Sequence, residues 1–333
     1  MKDKIKVIQY GLGPIGIKLT QYLVDKPAME IVGAVDIDPK KVGADIGELA
    51  GLPEPLGIIV TGDAETLLGE VEADVVALTT TSSLEKIKPL VMEILSHGVN
   101  VVTTCEELSY PWLTNPQISG EIDVAAREKN VSVLSAGVNP GFLMDFLPIA
   151  VTGVCRQVKR ITVERIQDAQ FRRIPFQKKI GAGLTVEQFQ ERVREGTLRH
   201  VGLTESIHMI AAKMGWRLDK AEDIISPIIA DEKVVAGGLT VEAGKVLGVQ
   251  QIGRGIVQGE ERITLVFRAS IGEKDPRDRV VIEGTPDIDM VIKGGVNGDI
   301  ATCAIVANAI PAVVGARPGL RTMADIEVVS YFE

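Results

Sequence analysis

The amino-acid sequence predicts an α/β fold in two parts, a parallel sheet followed by an α+β part with a mostly antiparallel sheet. Three observations support this prediction. The chain has 333 residues, which exceeds a typical single domain. Its first half alternates short, apolar, β-rich runs with helical patterns, as βαβ units do. After about residue 140 the strand-like runs lengthen and alternate between apolar and polar residues, which is typical of antiparallel strands.

The first half supplies the elements of the parallel sheet. Its strand-like runs are too continuously apolar to alternate, so we expect helices to cover both faces of the sheet. The predicted strands are 5–9, 30–35, 74–78, 100–103 and 131–135, and the predicted helices are 15–24, 84–97 and 121–129.

The second half supplies the antiparallel part and a returning helix. The predicted strands are 161–166, 245–257, 262–268 and 279–283, and the predicted helices are 185–195 and 204–214. Thr185 and Gln188 have the spacing of a capping box at the start of the first of these helices. A long apolar helix follows at 299–316, and Asp299 can cap it. We expect this helix to pack back on the first domain, which spans 1–140, while a second domain spans 141–298.

Composition limits the partners and the compartment. The net charge of −9 opposes nucleic acid or an anionic membrane, because phosphate binding needs clustered lysine and arginine. The three cysteines are far apart and no cysteine/histidine run suggests a metal site, which favours a reducing cytoplasm. The N-terminal apolar run is too short for a signal peptide, and the apolar segment 300–315 is shorter than a membrane span. We therefore expect a cytoplasmic protein with no metal, no membrane and no nucleic acid.

A glycine-rich turn follows the first strand and opens the first helix. It reads Gly11-x-Gly13-x-x-Gly16, with Pro14 and Ile15 inside it. In a Rossmann domain the first glycine permits a tight turn, and the second lets a pyrophosphate approach the backbone. The third lets helix and strand pack closely, and the pyrophosphate rests on the helix N-terminus. The turn therefore predicts that the first domain is a Rossmann domain that binds NAD or NADP.

Residues beyond the turn bear on the choice of dinucleotide. Asp36 ends the second strand, 20 positions after Gly16, and can accept from ribose hydroxyls, which favours NAD. Lys41 suits a 2′-phosphate, so dual NAD and NADP use stays open, as does a plain solvated lysine. Further hydroxyls follow strand 74–78 at the carboxyl edge of the sheet, where they contact cofactor or cap the next helix. These are Thr79, Thr80 and Thr81.

Two glutamates, Glu106 and Glu107, follow strand 100–103 at the same edge. Oxidation of an alcohol develops an oxyanion, which a carboxylate would repel. Oxidation of an amine develops a cationic iminium, which a carboxylate stabilises while it also takes up protons. A glutamate that faces the cofactor therefore predicts amine chemistry. The alternative is an acid at the start of a helix, favourable to the helix dipole.

Four motifs are similar to those of 2,4-diaminopentanoate dehydrogenases and the related native amine dehydrogenases, and the similarity runs the whole length. They are GLGPIG, TTCEELSYP, GVNPGFLMD and RIPFQKKIGAG. The resemblance implies NAD(P)-dependent oxidative deamination, reversible as reductive amination, of a small amine or diamino acid. The partners are then the amine or ketone and ammonia. A glutamate in the second motif is implied as the key residue, and we favour Glu106 over Glu107.

The N-terminal third also resembles the dihydrodipicolinate reductase and homoserine dehydrogenase group. VVTTCE places Glu106 where a homoserine dehydrogenase carries its lysine. His97, His200 and His208 do not reproduce the histidine pair of the reductases. A carbonyl or alcohol dehydrogenase on the same fold stays the main alternative, and a cofactor-sensing protein without turnover is a third interpretation.

The remaining candidate residues belong to the last two motifs and to the returning helix. Asn139 holds the nicotinamide amide or substrate, or forms an Asn-Pro-Gly turn. The basic cluster of the fourth motif suits a substrate carboxylate, and an arginine such as Arg173 would bind it in a fork, although charge runs are usually solvated. The other predicted substrate-binding residues, each with core packing or local structure as the alternative, are Phe142, Met144, Pro175, Phe176, His200 and Thr302. The antiparallel sheet of the second domain is the expected interface of a homodimer.

Overall fold

The computed structural model describes residues 4–172, 174–236 and 238–332, without the side chains at 171 and 175. The chain divides into two compact units. The first comprises Met1–Phe142 and Asn297–Glu333, and the second comprises Leu143–Val296.

The first unit begins with alternating strands and helices. The strands are β1 (Ile5–Tyr10), β2 (Met29–Val35), β3 (Val60–Thr61), β4 (Val75–Leu78), β5 (Asn100–Thr103) and β6 (Ser132–Ser135). The helices are α1 (Pro14–Val24), α2 (Ile46–Leu49), α3 (Ala64–Glu70), α4 (Leu84–Ser96) and α5 (Pro116–Glu128), and a 3₁₀ turn covers Glu106–Leu108.

The second unit is built on a mostly antiparallel sheet. Its helices are α6 (Phe146–Val151), α7 (Ile174–Lys179), α8 (Val186–Arg194) and α9 (Leu203–Lys213), with 3₁₀ turns at Thr152–Val154 and Ala169–Phe171. Its strands are β7 (Gln157–Asp168), β8 (Lys220–Ile229), β9 (Val234–Ala236), β10 (Leu239–Val241), β11 (Val246–Val257), β12 (Glu260–Ser270), β13 (Arg277–Thr285) and β14 (Ile288–Lys293). Among the described residues, six of these strands form one sheet in the order β14-β13-β7-β12-β11-β8, in which only β7 and β12 pair in parallel.

The chain then returns to the first unit through α10 (Gly298–Val314) and β15 (Gly319–Arg321). Within the described ranges, seven parallel strands form the sheet of this unit, in the order β15-β6-β5-β4-β1-β2-β3. Helix α10 packs on β4, β5 and β6 and beside α1. This arrangement confirms the predicted fold class, a Rossmann-type parallel sheet plus a mostly antiparallel α+β part.

Both faces of the parallel sheet are covered, which explains the apolar runs. Val76 and Leu78 of β4 pack in one cluster with apolar residues of α4 and α5. Val75 and Ala77 alternate with them, and both are also fully buried. A strand buried on both faces cannot alternate in polarity.

Several predicted boundaries were wrong. Helix α5 begins at Pro116 rather than at 121, because Pro116 occupies the first helical turn, where its missing N–H has no intrahelical partner to lose. Helix α10 is capped by Asn297, whose side chain accepts from the amides of Asp299 and Ile300. Asp299 therefore lies in the first turn and is not the cap. The capping box of Thr185 and Gln188 is confirmed.

The short strands β3, β9, β10 and β15 and the longer β8 and β14 carried too little periodicity to be predicted. Among the described residues, no helix is long and apolar enough to cross a membrane.

Candidate active site

The carboxyl ends of neighbouring parallel strands gather the predicted cofactor residues at one edge of the first unit. Strands β5, β4, β1 and β2 are adjacent in this order. Gly11 follows β1, Asp36 follows β2, Thr79 follows β4 and Glu106 lies three residues beyond β5. The order of connections reverses at β1, and in open α/β sheets ligands bind beside such a reversal.

The three glycines of the turn each have a separate steric reason. Gly11 has a φ of +91°, which favours glycine. A Cβ on Gly16 would stand 1.9 Å from the Gly11 carbonyl oxygen, so only glycine permits this close packing. A Cβ on Gly13 would meet nothing within 4 Å, which leaves open space over the backbone where a pyrophosphate has to approach. Pro14 begins α1 directly after it, so the turn fits a dinucleotide.

Asp36 lies at the end of β2 and is only 8% exposed. Its Oδ2 accepts from the Leu12 amide at 2.6 Å and from Lys41 Nζ at 3.0 Å, and its Oδ1 accepts from the Asp38 amide at 2.8 Å. Burial alone would raise the pKa of Asp36, but the two amides and Lys41 outweigh it and the pKa is lowered. Asp36 is therefore an anionic acceptor with Lys41 already paired to it.

The three threonines after β4 differ in what their hydroxyls do. Thr79 Oγ1 donates to the Gly11 carbonyl at 2.7 Å. Thr81 Oγ1 accepts from the Ser83 amide at 3.2 Å. Thr80 is exposed at the same edge. The Thr79 hydroxyl thus supports the glycine turn, and its predicted contact with cofactor stays a prediction.

The two glutamates have different surroundings. Glu107 Oε2 accepts from the amide of Leu84, the first residue of α4, at 2.8 Å, and the N-cap residue Ser83 makes no side-chain cap of its own. Glu106 is half-buried, and within the described part of the chain no hydrogen bond or ion pair forms at its carboxylate. Glu107 therefore caps α4 although it lies 23 residues away in the sequence, whereas Glu106 makes no such contact among the described residues.

Cys105 precedes the pair and is buried, with its Sγ donating to the Ser82 carbonyl at 3.3 Å. Burial and the adjacent Glu106 raise the pKa of this thiol far above its usual range. Cys105 thus stays a protonated thiol at neutral pH and is not a nucleophile.

Asn139 and Thr302 both lie in the first unit. Asn139 follows β6 in a tight turn, where a Cβ on Gly141 would stand 2.7 Å from the Gly137 backbone. Thr302 Oγ1 accepts from the amide of Val138 at 3.5 Å. The beginning of α10 is thus adjacent to the turn that contains Asn139.

Two predicted substrate residues of the second unit meet at a small cavity. Phe176 and His200 line a space of about 30 Å³ together with Lys179, Arg199, Val249 and Phe267, among others. The His200 ring stacks on Phe267 with centroids 4.3 Å apart. Burial, with Lys179 and Arg165 nearby, lowers the pKa of His200 to about 3. His200 is therefore a neutral imidazole at physiological pH.

Positive charge concentrates beside this cavity. The Arg172 guanidinium lies 4.1 Å from the Phe176 ring centroid, and Arg172 Nη1 donates to Gln167 Oε1 at 3.2 Å. Arg165 is paired with Asp278 at 2.8 Å, whereas Lys179 and Arg199 line the cavity and Arg172 lies over the Phe176 ring. Arg173 and the side chain of Pro175 lie outside the described residues. Met144 is fully buried, and Phe142 is half-buried at the end of the first unit.

Sequence reasoning missed two buried polar groups. Gln9 is fully buried in β1, and its Nε2 donates to the Gly11 carbonyl at 3.0 Å. A glutamine inside the apolar run before a glycine turn was a usable signal. The Arg165–Asp278 pair joins β7 to β13, and separate strand runs give no sign of such pairing.

Comparisons with known proteins cover the whole chain. The family model described as the 2,4-diaminopentanoate dehydrogenase C-terminal domain matches residues 142–332, and that of the dihydrodipicolinate reductase N-terminus matches 5–107. A 2,4-diaminopentanoate dehydrogenase of Acetoanaerobium sticklandii is 37% identical over 98% of this chain and 94% of its own length. An amine dehydrogenase of Streptomyces virginiae is 25% identical, covering 97% of this chain and 96% of its own. The solved amine dehydrogenase of Mycobacterium smegmatis has a TM-score of 0.86 at 25% identity, over 99% of this chain and 98% of that one.

Proposed function

The chain belongs to the 2,4-diaminopentanoate dehydrogenase family, and from this premise we propose that it deaminates a small amine or diamino acid with a glutamate as general base. It is an oxidoreductase that acts on amines with a nicotinamide cofactor. The cofactor, when bound, accepts the hydride from the carbon that carries the amine. The single observation that carries the proposal is the Glu106 carboxylate beyond β5, which has no hydrogen-bond or ion-pair partner among the described residues while Glu107 caps α4.

The charge of Glu106 suits each step that this chain has to assist. As anionic base it takes a proton from the substrate ammonium, which frees the nitrogen lone pair. Glu106 releases this proton to solvent, and as hydride departs, positive charge develops on carbon and nitrogen, which the regenerated carboxylate stabilises. The carboxylate then takes a proton from the water that adds to the iminium and returns it to the amine nitrogen. Ammonia leaves as the carboxylate takes up the proton of the carbinolamine hydroxyl. The reverse order gives reductive amination of the ketone.

The proposed substrate carries a carboxylate, as 2,4-diaminopentanoate does. Arg172 and Lys179 are the supporting residues, because both are cations of the second unit beside the neutral His200 and the Phe176 ring. Arg173, which the sequence favoured, remains a proposal without structural support. An arginine fork binds a carboxylate in two hydrogen bonds and would favour a diamino acid over a plain alkyl amine.

The proposed cofactor is NAD, with NADP also accepted. Asp36 supports NAD because an anionic acceptor repels a 2′-phosphate. Lys41 supports some NADP use, because its ammonium at 3.0 Å offsets the Asp36 charge.

A homodimer through the sheet of the second unit is the proposed assembly. Helix α9 packs on β8, β11 and β12. The side chains of Ile224, Ile252 and Val266 share one row across β8, β11 and β12, and Ile224 is 43% exposed. An apolar row of this kind suits the same row of a twin subunit.

The test pairs two variants that remove the same charge. Glu106→Gln should lower kcat for NADH formation from 2,4-diaminopentanoate by about 10²- to 10⁴-fold, the usual contribution of a general base. Glu107→Gln is the matched control, because its amide oxygen still accepts from the Leu84 amide, and it should keep nearly full turnover. If Glu107→Gln loses turnover and Glu106→Gln keeps it, the base assignment is wrong. Oxidation of an alcohol by the wild type, with no oxidation of any amine, would refute the reaction class.

A further inference from the structure

The peptide that joins Gly11 to Leu12 is held on its carbonyl side by two donors, the half-buried Thr79 hydroxyl and the fully buried Gln9 amide. The Gly11 carbonyl oxygen accepts from Thr79 Oγ1 at 2.7 Å and from Gln9 Nε2 at 3.0 Å. Gln9 Nε2 also donates to Thr79 Oγ1 at 3.0 Å, so the two side chains orient each other. The missing Cβ of Gly16 makes room for this carbonyl. The carbonyl therefore has a fixed direction, toward the end of β4.

The other side of the same peptide leads to Asp36. The peptide is trans, so its N–H points away from its C=O. The Leu12 N–H donates to Asp36 Oδ2 at 2.6 Å. A rotation of this peptide would remove the amide from Asp36 and leave Oδ2 with Lys41 alone.

We propose that Gln9 and Thr79 are positioning residues for the cofactor, which fix the Gly11–Leu12 peptide and through it the carboxylate that recognises the adenosine ribose. The inference rests on the proposed binding of a nicotinamide dinucleotide. It makes Thr79 and Gln9 determinants of the preference for NAD over NADP through the peptide that they hold.

The hydrogen bonds of Gln9 indicate that the stability of the fold alone does not explain why a glutamine stands inside β1. Gln9 is fully buried, and among the described residues no donor reaches its Oε1. A buried acceptor without a partner destabilises a fold, so an apolar residue would serve the strand better. If the Gln9 amide were flipped, its Oε1 would face the Gly11 carbonyl oxygen, and two acceptors would repel each other. The orientation with Nε2 toward this carbonyl is therefore the favoured one. What Gln9 provides is a second donor to the Gly11 carbonyl.

Direct binding of NADH and NADPH, without amine, tests the proposal in the full chain. Thr79→Val removes the donor at constant shape and should raise the Kd of NADH about 3- to 10-fold, the worth of one hydrogen bond. Thr79→Ser restores the hydroxyl and should stay within about twofold of wild type. Thr20→Val is the matched control, because the buried Thr20 hydroxyl donates to the Gly16 carbonyl within α1. The Kd of NADPH should rise less than that of NADH, because Asp36 does not favour its 2′-phosphate.

A second readout needs no cofactor. In Thr79→Val, loss of the hydrogen bond from the Leu12 amide should raise the pKa of Asp36, which carboxyl NMR measures. Gln9→Met should raise this pKa as well. An unchanged NADH affinity in Thr79→Val, or equal losses in Thr79→Val and Thr79→Ser, would overturn the role of the hydroxyl. Equal losses of affinity for NADH and NADPH, or an unchanged pKa of Asp36, would refute the proposed effect of Thr79 on Asp36 through the Gly11–Leu12 peptide. If the wild type binds neither cofactor, the proposed function is wrong. The pKa of Asp36 in the variants still tests whether Thr79 and Gln9 act on Asp36 through the Gly11–Leu12 peptide.

Discussion

The ion pair between Arg165 and Asp278 offers a stability test whose size follows from burial. The two side chains are 3% and 5% exposed, and Arg165 Nη1 lies 2.8 Å from Asp278 Oδ1. Arg165 Nη2 also donates to the Val296 carbonyl at 3.1 Å, and the Val296 amide donates to Asp278 Oδ2 at 2.8 Å. The pair thus binds both the carbonyl and the amide of Val296, the last residue of the second unit. Arg165→Met removes the cation and keeps most of the side-chain volume.

The expected loss is large, because Asp278 would be left as a buried charge without a counter-ion. Breaking a buried pair from one side costs about 3–5 kcal/mol. For a unit of this size about 2–4 °C of melting temperature corresponds to each kcal/mol, so the second unit should melt about 6–20 °C lower. Arg165→Met combined with Asp278→Leu should recover much of this loss, since no unpaired charge remains. The exposed pair of Lys233 and Glu242 is the control, and Lys233→Met should lower the melting temperature by no more than about 3 °C.

The loss in Arg165→Met should also depend on pH, with a definite sign. Burial already raises the pKa of Asp278, and Arg165 opposes that rise. Without Arg165 the folded-state pKa rises further above the unfolded value, so the folded state binds more protons at intermediate pH. Its stability is then lost as pH rises from the unfolded pKa of Asp278 to the folded pKa. The variant should approach wild-type stability as pH falls toward 4 and diverge from it above.

Thermal melts of wild type, both single variants and the double variant across this pH range measure the effect. A loss in Arg165→Met no larger than that in Lys233→Met would refute the reasoning. So would a deficit that does not shrink as the pH is lowered, because the penalty would then not come from a buried carboxylate.

Three further predictions follow from single contacts. Lys41→Met should raise the Kd of NADPH about tenfold or more and change that of NADH little, because it leaves the Asp36 charge without its cation; equal effects on both would contradict this. His200→Gln should leave the shape of the kcat profile between pH 5 and 9 unchanged, since the pKa of His200 is about 3. Loss of the acidic or the basic limb of this pH profile in His200→Gln would show that His200 titrates between pH 5 and 9. Asn297→Ala should lower stability by about 1 kcal/mol in melts, because α10 loses its cap, whereas Asp299→Ala should cost less.

The predictable part of the fold was the part with strong periodicity. Strand β5 was predicted at its observed bounds, and strands β1 and β4 and helix α4 to within one residue, because buried parallel strands and amphipathic helices repeat regularly. The start of α5 was missed, because its first turn, Pro-Gln-Ile-Ser, has little apolar periodicity. The six missed strands are short or carry uneven patterns, and pairing across the sheet rather than composition decides that they form.

The family resemblance was likewise available from the sequence, since four motifs sufficed to infer it and the comparisons confirm it. The motifs fix which residues stand at or just after the ends of β1, β5 and β6. They do not fix which polar atoms those residues bond. The place of Thr79 after β4 predicted a cofactor contact or a helix cap, but only the structure shows that its hydroxyl donates to the Gly11 carbonyl.

The choice between Glu106 and Glu107 shows where the limit lies. Both carboxylates are half-buried and adjacent, so exposure and position along the chain do not separate them. They are separated by a contact across 23 residues, in which Glu107 supplies the cap that Ser83 does not give to α4. Two carboxylates beyond one strand therefore divide into one that caps a helix and one that makes no hydrogen bond or ion pair among the described residues. The helix cap, found only in three dimensions, is thus what makes Glu106 the residue to test for catalysis.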